Sequence, residues 1–102
     1  MKKIGVLIKE PGKQPRRVNI SDTLDNMQRI VGGYIETVTV CADLVVICDE
    51  EGKMKGKPHC CTICGVDFVG TVILCGIDGD EFADLPVGWK DLKAVLPQLW
   101  EE

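Results

Sequence analysis

The sequence predicts an α+β fold: a single domain over residues 1–102, with a mainly antiparallel sheet of about five strands and two main helices packed on it. Three observations carry this. Ser21 to Val40, SDTLDNMQRIVGGYIETVTV, reads as a capped amphipathic helix, a double-glycine stop and a strand. Short β-branched runs separated by Pro, Gly and Asp turns lie on both sides of it. The closing stretch, Pro86 to Trp100, repeats Leu at helical spacing.

Lys3 to Ile8 is the first apolar run, and Glu10 to Pro15 is a turn by composition. Arg16 to Ile20 alternates, with Val18 and Ile20 on one face, so an antiparallel hairpin is expected. Lys9, Lys13, Arg16 and Arg17 should decorate its outer end. Ser21 or Asp22 can accept from the free N–H groups of a following helix, and Asp22 and Asp25 complement its positive end. Leu24, Met27, Ile30 and Val31 form one apolar stripe. Gly32-Gly33 ends it, because glycine tolerates a left-handed cap.

Tyr34 to Val40 is the next strand, and Ala42-Asp43 a tight link. Leu44 to Cys48 is apolar throughout, which suits a strand covered on both faces. Asp49 to Gly52 is a turn, Lys53 to Lys57 is too polar for an element, and Pro58 to Gly65 is a loop or a short helical turn. Val66 to Cys75 reads as one strand, with Gly70 as a bulge or bend. Asp78-Gly79 marks a tight turn and Glu81 to Ala83 a short return. In the last helix Trp89, Leu92, Leu96 and Leu99 share a stripe with Val95 beside it, and Pro97 should kink or end it near Leu96.

The net charge of -4 argues against a phosphate-backbone binder, so nucleic acid is not an expected partner. No apolar run approaches the ~20 residues of a membrane helix, and the run Ile4 to Ile8 is shorter than the core of a secretory signal. A cytoplasmic chain with reduced thiols is the expectation, with Cys41, Cys48 and Cys75 as core residues.

The densest constellation is His59-Cys60-Cys61-Thr62-Ile63-Cys64. Cys61 and Cys64 have a metal-knuckle spacing, but a structural zinc site wants four ligands and a second pair is missing. The expectation is a loop with thiols and no cofactor; zinc or a redox dithiol at Cys61 and Cys64 is the alternative. The acids Asp78, Asp80, Glu81 and Asp84 do not match a calcium loop, whose glycine comes later. Gly33 could bring backbone near a ligand and Tyr34 could stack on its ring. No Ser/His/acid order suggests catalysis.

KEPGK, VGGYIE, LVVICDEEGK, GKP, GVDFVGTVILCG and DGDEFADL follow one another between Ile4 and Leu85. In this order they resemble a small family of unknown function, widespread in phages, prophages and conjugative elements of Gram-positive and related bacteria. The chain departs from it at His59-Cys60-Cys61, where many relatives are Asn-rich. The resemblance implies a mobile-element setting in a bacterial host cell. It suggests a non-enzymatic accessory binding protein, acting in counter-defence by sequestering a signalling nucleotide. The residues that would hold the nucleotide are Gly33 and Tyr34, with Arg16, Arg17 or Lys57 near its phosphate and His59 as a further candidate ligand-binding residue. The competing expectation is an acidic protein-binding inhibitor of a host nucleic-acid-handling or defence protein. Its surface would comprise Asp43, Asp49, Glu50, Glu51, Asp78, Asp80, Glu81 and Asp84. A homo-oligomer is compatible with either.

Overall fold

The first hairpin pairs β1 (Lys3–Lys9) with β2 (Arg16–Ser21), and the computed structural model describes residues 2–41, 44–86 and 89–100 of the chain. Next come α1 (Leu24–Val31), β3 (Ile35–Cys41) and β4 (Leu44–Asp49). A second hairpin follows, β5 (His59–Ile63) and β6 (Val66–Val69). The chain then adds β7 (Val72–Asp78), β8 (Glu81–Ala83), α2 (Trp89–Val95) and a 3-10 turn, Pro97–Trp100. The expected Ala42-Asp43 link lies outside the described residues, as do the side chains of Cys41 and Trp89.

The main sheet has six strands in the order β2-β1-β7-β4-β3, with β8 extending beside β7, and every pairing is antiparallel. The α+β expectation holds, with one strand more than expected and a separate two-stranded sheet, β5-β6. α1 carries the chain from one edge of the sheet to the other.

Three layers result. On one face α1 inserts Met27 and Val31 against Ile4, Val6, Ile8, Val45, Ile47 and Ile73. On the other, Leu7, Val46 and Leu74 pack against Cys61, Ile63 and Phe68 of the β5-β6 hairpin and Leu92, Leu96 and Leu99 of the C-terminal turns. The alternation along β4 explains its unbroken apolar run: Val45 and Ile47 face α1, while Leu44, Val46 and Cys48 face the hairpin. Cys48 and Cys75 are core residues, as expected.

Several local expectations are corrected. The helix begins after Thr23, not at Ser21 or Asp22: Ser21 is claimed by β2, and Thr23 Oγ1 accepts from the Asn26 N–H at 3.2 Å. Leu24 leaves the stripe at 56% exposed, while Ile30 packs half-buried on the core. Thr23→Ala should cost about 1 kcal/mol of stability, read by urea denaturation.

Lys9 does not decorate the hairpin tip. It is fully buried, on the strand face that Leu7 also occupies, and its Nζ donates to the Glu10 carbonyl at 3.0 Å. Within Pro58 to Gly65, expected as a loop or short helical turn, His59–Ile63 is β5, drawn into a strand because Cys60, Cys61 and Ile63 are buried. Val66 to Cys75 is two strands in two sheets. Gly70, at φ 71°, turns the chain, and its N–H closes onto the Pro58 carbonyl at 2.8 Å. Pro97 ends α2 at Val95, as expected, but Val95 itself is 67% exposed.

Candidate functional site

The helix stop, the start of β3 and the end of β4 meet at one end of the sheet. Gly32 takes the left-handed cap at φ 84°, and the N–H groups of Gly32 and Gly33 both donate to the Gln28 carbonyl. This leaves the Val31 and Gly32 carbonyls, the negative end of the helix, in need of donors. Lys57 Nζ donates to Val31 O at 2.7 Å and Lys55 Nζ to Gly32 O at 3.3 Å. Both ammonium groups also reach Asp49 Oδ2 at 2.8 Å. The Asp49 side chain is 1% exposed, and its Oδ1 accepts from the Glu51 N–H at 2.9 Å.

Burial alone would raise the Asp49 pKa. The hydrogen bonds from Lys55, Lys57 and the Glu51 N–H outweigh that and hold the carboxyl well below the usual carboxylate range. The hydrogen bond to Asp49 raises the pKa of Lys55 in turn. Gly33 is required by this cluster: a Cβ there would stand 2.7 Å from both Asp49 oxygens and from Lys55 Nζ. Gly70 is fitted in the same way against the Lys57 stem.

Of the residues expected to bind a nucleotide, Gly33, Tyr34 and Lys57 come together here. Tyr34 is 66% exposed at the mouth of the cluster, but Lys57 is committed to Asp49 and Val31. His59 opens β5 two residues beyond Lys57. Arg16 and Arg17 lie on β2, the opposite edge strand. Three strand steps separate β2 from β4, roughly 14 Å at ~4.8 Å per strand, and Arg16 sits 3.9 Å from Glu10.

The expected acidic surface also divides. Asp49 is buried, and Asp43 lies outside the described residues. Glu50 and Glu51 sit at the end of the sheet where β4 finishes, whereas Asp78, Asp80 and Glu81 sit at the β7-β8 turn. The β4-β7 register places these turns at opposite ends, roughly 24 Å apart at ~3.4 Å per residue.

Sequence reasoning missed the cleft beside the Asp49 cluster. It has a volume of about 150 Å³ and lies between β3, the β4-β5 connection and β6. Glu36, Glu50 and Asp67 bring negative charge to it and Lys53 a positive one; Val38, Phe68 and the 86%-exposed Met54 supply apolar surface. Among the described residues no ion pair involves Glu36, Glu50 or Asp67. The volume is below the ~300–1,000 Å³ of sites for drug-sized ligands, so a single long side chain fits it better than a whole nucleotide. Exposed Met54 in a polar segment was the sequence signal for this surface.

The thiols differ sharply in setting. Cys60 is the extra residue of a bulge between His59 and Cys61, so both cysteines turn into the core, and Cys60 Sγ donates to the Lys9 carbonyl at 3.3 Å. Cys64 and Gly65, at φ 51° and 79°, form the two-residue turn of the hairpin, and Cys64 is exposed. Burial pushes the Cys48 thiol up to about 11, helped by Glu36 and Asp49, and the Cys75 thiol up to about 12, helped by Asp22. Among the described residues no three His, Cys, Asp or Glu side chains converge in a metal-holding group. The left-handed position of Cys64 suits Asn, so Cys64→Asn should keep or raise stability by up to ~0.5 kcal/mol while removing one thiol of the C-x-x-C pair. Elemental analysis of both proteins checks the zinc alternative: zinc bound by the parent and lost in the variant would support it.

No described helix is long and apolar enough to cross a membrane. Comparison with curated proteins and with solved structures finds no match. Residues 1–94 match the family described as Domain of unknown function (DUF3846), and the chain belongs to that family.

Proposed function

We propose that this is a non-enzymatic accessory binding protein of a phage or other mobile element, acting in the cytoplasm of a bacterial host, and that it grips a basic host protein. One observation carries this reading: the cleft at β3, where Glu36, Glu50 and Asp67 bring carboxylates beside exposed Met54 and Val66. A Lys or Arg side chain suits such a cleft, because its stem covers apolar surface while its head meets carboxylates. The lysines nearest the glycine pair are already satisfied by Asp49, which leaves the nucleotide reading supported mainly by the exposed Tyr34 ring. Counter-defence fits either form of binding in a mobile-element setting.

The test captures host proteins on the immobilised chain at low and high salt, beside a variant carrying Glu36→Lys and Asp67→Lys. A protein retained at low salt, released at high salt and lost from the variant is the expected result. Calorimetry against a panel of cyclic nucleotides is run in parallel. Heat with a nucleotide, together with retention unchanged by the two reversals, would replace this reading with small-molecule capture at Gly33 and Tyr34.

A further inference from the structure

We propose that β3 is a receiving edge, taking an extended basic segment of a partner protein as an added antiparallel strand. This rests on the reading just given and supplies its geometry. β3 ends the strand order, so among the described residues nothing pairs with its outer side. One bond fixes the phase of its backbone. The Glu50 N–H donates to the Tyr34 carbonyl at 2.9 Å, one step before the Ile35–Asp49 pair in the register. Bonded and open pairs alternate in an antiparallel ladder. Glu36 and Val38 therefore direct their backbone groups to β4, while Ile35, Thr37 and Thr39 direct theirs outward.

Edges are commonly blunted by lysine, proline or short length. β3 is seven residues, IETVTVC, with no lysine or proline. Its one register irregularity falls past Thr39. The opposite edge, β2, carries Arg16 and Arg17 instead. An open edge of this kind accepts a strand through main-chain bonds, and the neighbouring side chains select which strand.

Charge makes that selection. Glu36 and Val38 line the cleft, so they share the cleft-facing side of β3. A residue added opposite either one projects its side chain to the same side, ~5 Å away. Lys or Arg at that position meets Glu36, while Asp67, whose carboxylate accepts from Thr62 Oγ1 at 2.6 Å, adds negative charge beside the cleft. A second copy of this chain pairing through its own β3 about Glu36 would instead set Glu36 against its counterpart, which like-charge repulsion opposes, and pairing about Thr37 would set Glu36 opposite Val38 with no cation to meet it.

The geometry dictates which amides of the incoming strand are used. Its residues opposite Glu36 and Val38 point their side chains to the cleft and their N–H groups away. Its alternate residues point their N–H groups at β3. The probe is a blocked heptapeptide alternating Lys and Thr, made in three forms: unmodified, N-methylated at the Thr amides, and N-methylated at the Lys amides. With Lys over the cleft, Thr-amide methylation should weaken binding at least tenfold, and Lys-amide methylation less than about threefold. Thr37→Pro, which removes an outward N–H, should weaken the unmodified peptide comparably, while Thr37→Val should leave it unchanged. Equal binding of all three peptides overturns strand addition and leaves the basic-partner reading standing. Absence of binding by any of them at low salt removes both. A concentration-dependent dimer abolished by Thr37→Pro also overturns the proposal, since the occupant is then a second copy.

Discussion

Asp49→Asn should cost about 3 kcal/mol of stability, far more than its place beside an acidic turn suggests. The carboxylate is buried, yet it meets two ammonium groups and one N–H. Asparagine removes the charge that both lysines address. Hydrogen bonds to charged groups contribute ~1.5–3 kcal/mol each, and breaking a buried pair costs ~3–5. The lysines are 41% and 23% exposed and recover part of this by turning to water, which keeps the figure near the lower bound. The loss also frees the α1 carbonyls at Val31 and Gly32 that the same lysines cap. Gly33→Ala should be damaging for the same reason, because its Cβ would push directly on this carboxylate. The double variant should therefore cost clearly less than the sum of the singles, as expected for groups in one contact.

The effect has a pH signature. The native pKa of Asp49 lies below its unfolded value of ~3.9, so the unfolded chain binds this proton more readily. Its contribution is fully present above about pH 5 and is lost as pH falls through the unfolded and then the native pKa. Parent stability should decline below pH 5, and Asp49→Asn should decline less steeply, so the two urea midpoints converge toward acid. Parallel curves would mean that the carboxylate is not held by its lysines.

The sheet was legible where the pattern was local. The β1-β2 hairpin, the glycine stop after α1 and the doubly covered β4 all follow from short-range periodicity and turn chemistry. What escaped depends on distant partners. β5 looks like a loop because His59-Cys60-Cys61 has no clean alternation; a bulge at Cys60 resolves it once the hairpin lies on the sheet. Gly70 signals only a bulge or bend locally; that it separates two strands depends on its left-handed turn closing onto the Pro58 carbonyl twelve residues back. In the sequence Asp49 opens a turn and belongs with Glu50 and Glu51 to the expected acidic surface. Only the return of Lys55 and Lys57 under the helix end makes it a buried hub. The expected binding residues on β2 depended on that edge folding toward Gly33, and the insertion of β7 between β1 and β4 holds the two apart.

That insertion also makes Gly76→Ala a disruptive change, expected to cost about 3 kcal/mol. Gly76 pairs with Leu44 on one side and Ala83 on the other. A Cβ on it would collide with the backbone carbonyl of Asp84 and lie 3.4 Å from Cδ of Pro86. Backbone can yield only if its own bonds release, and this segment is held at two points. Asp84 Oδ1 accepts from the Gly5 N–H at 2.6 Å, and the Leu85 N–H donates to the Gly5 carbonyl at 2.9 Å. Moving it strips those bonds from β1 and withdraws Leu85 from the core. Overpacking costs ~1–3 kcal/mol, and the lost bonds place this site at the upper end. Gly79→Ala separates collision from chain strain. It sits at φ 63° in the β7-β8 turn with nothing within 4 Å of a new Cβ, so only the left-handed penalty of ~1–2 kcal/mol applies. Urea denaturation should rank Gly76→Ala well above Gly79→Ala. Adding Leu85→Ala to Gly76→Ala should then cost less than Leu85→Ala alone, because the leucine has already been displaced. Equal cost in both backgrounds would show that the Asp84–Leu85 segment stays in place and that the sheet absorbs the methyl elsewhere.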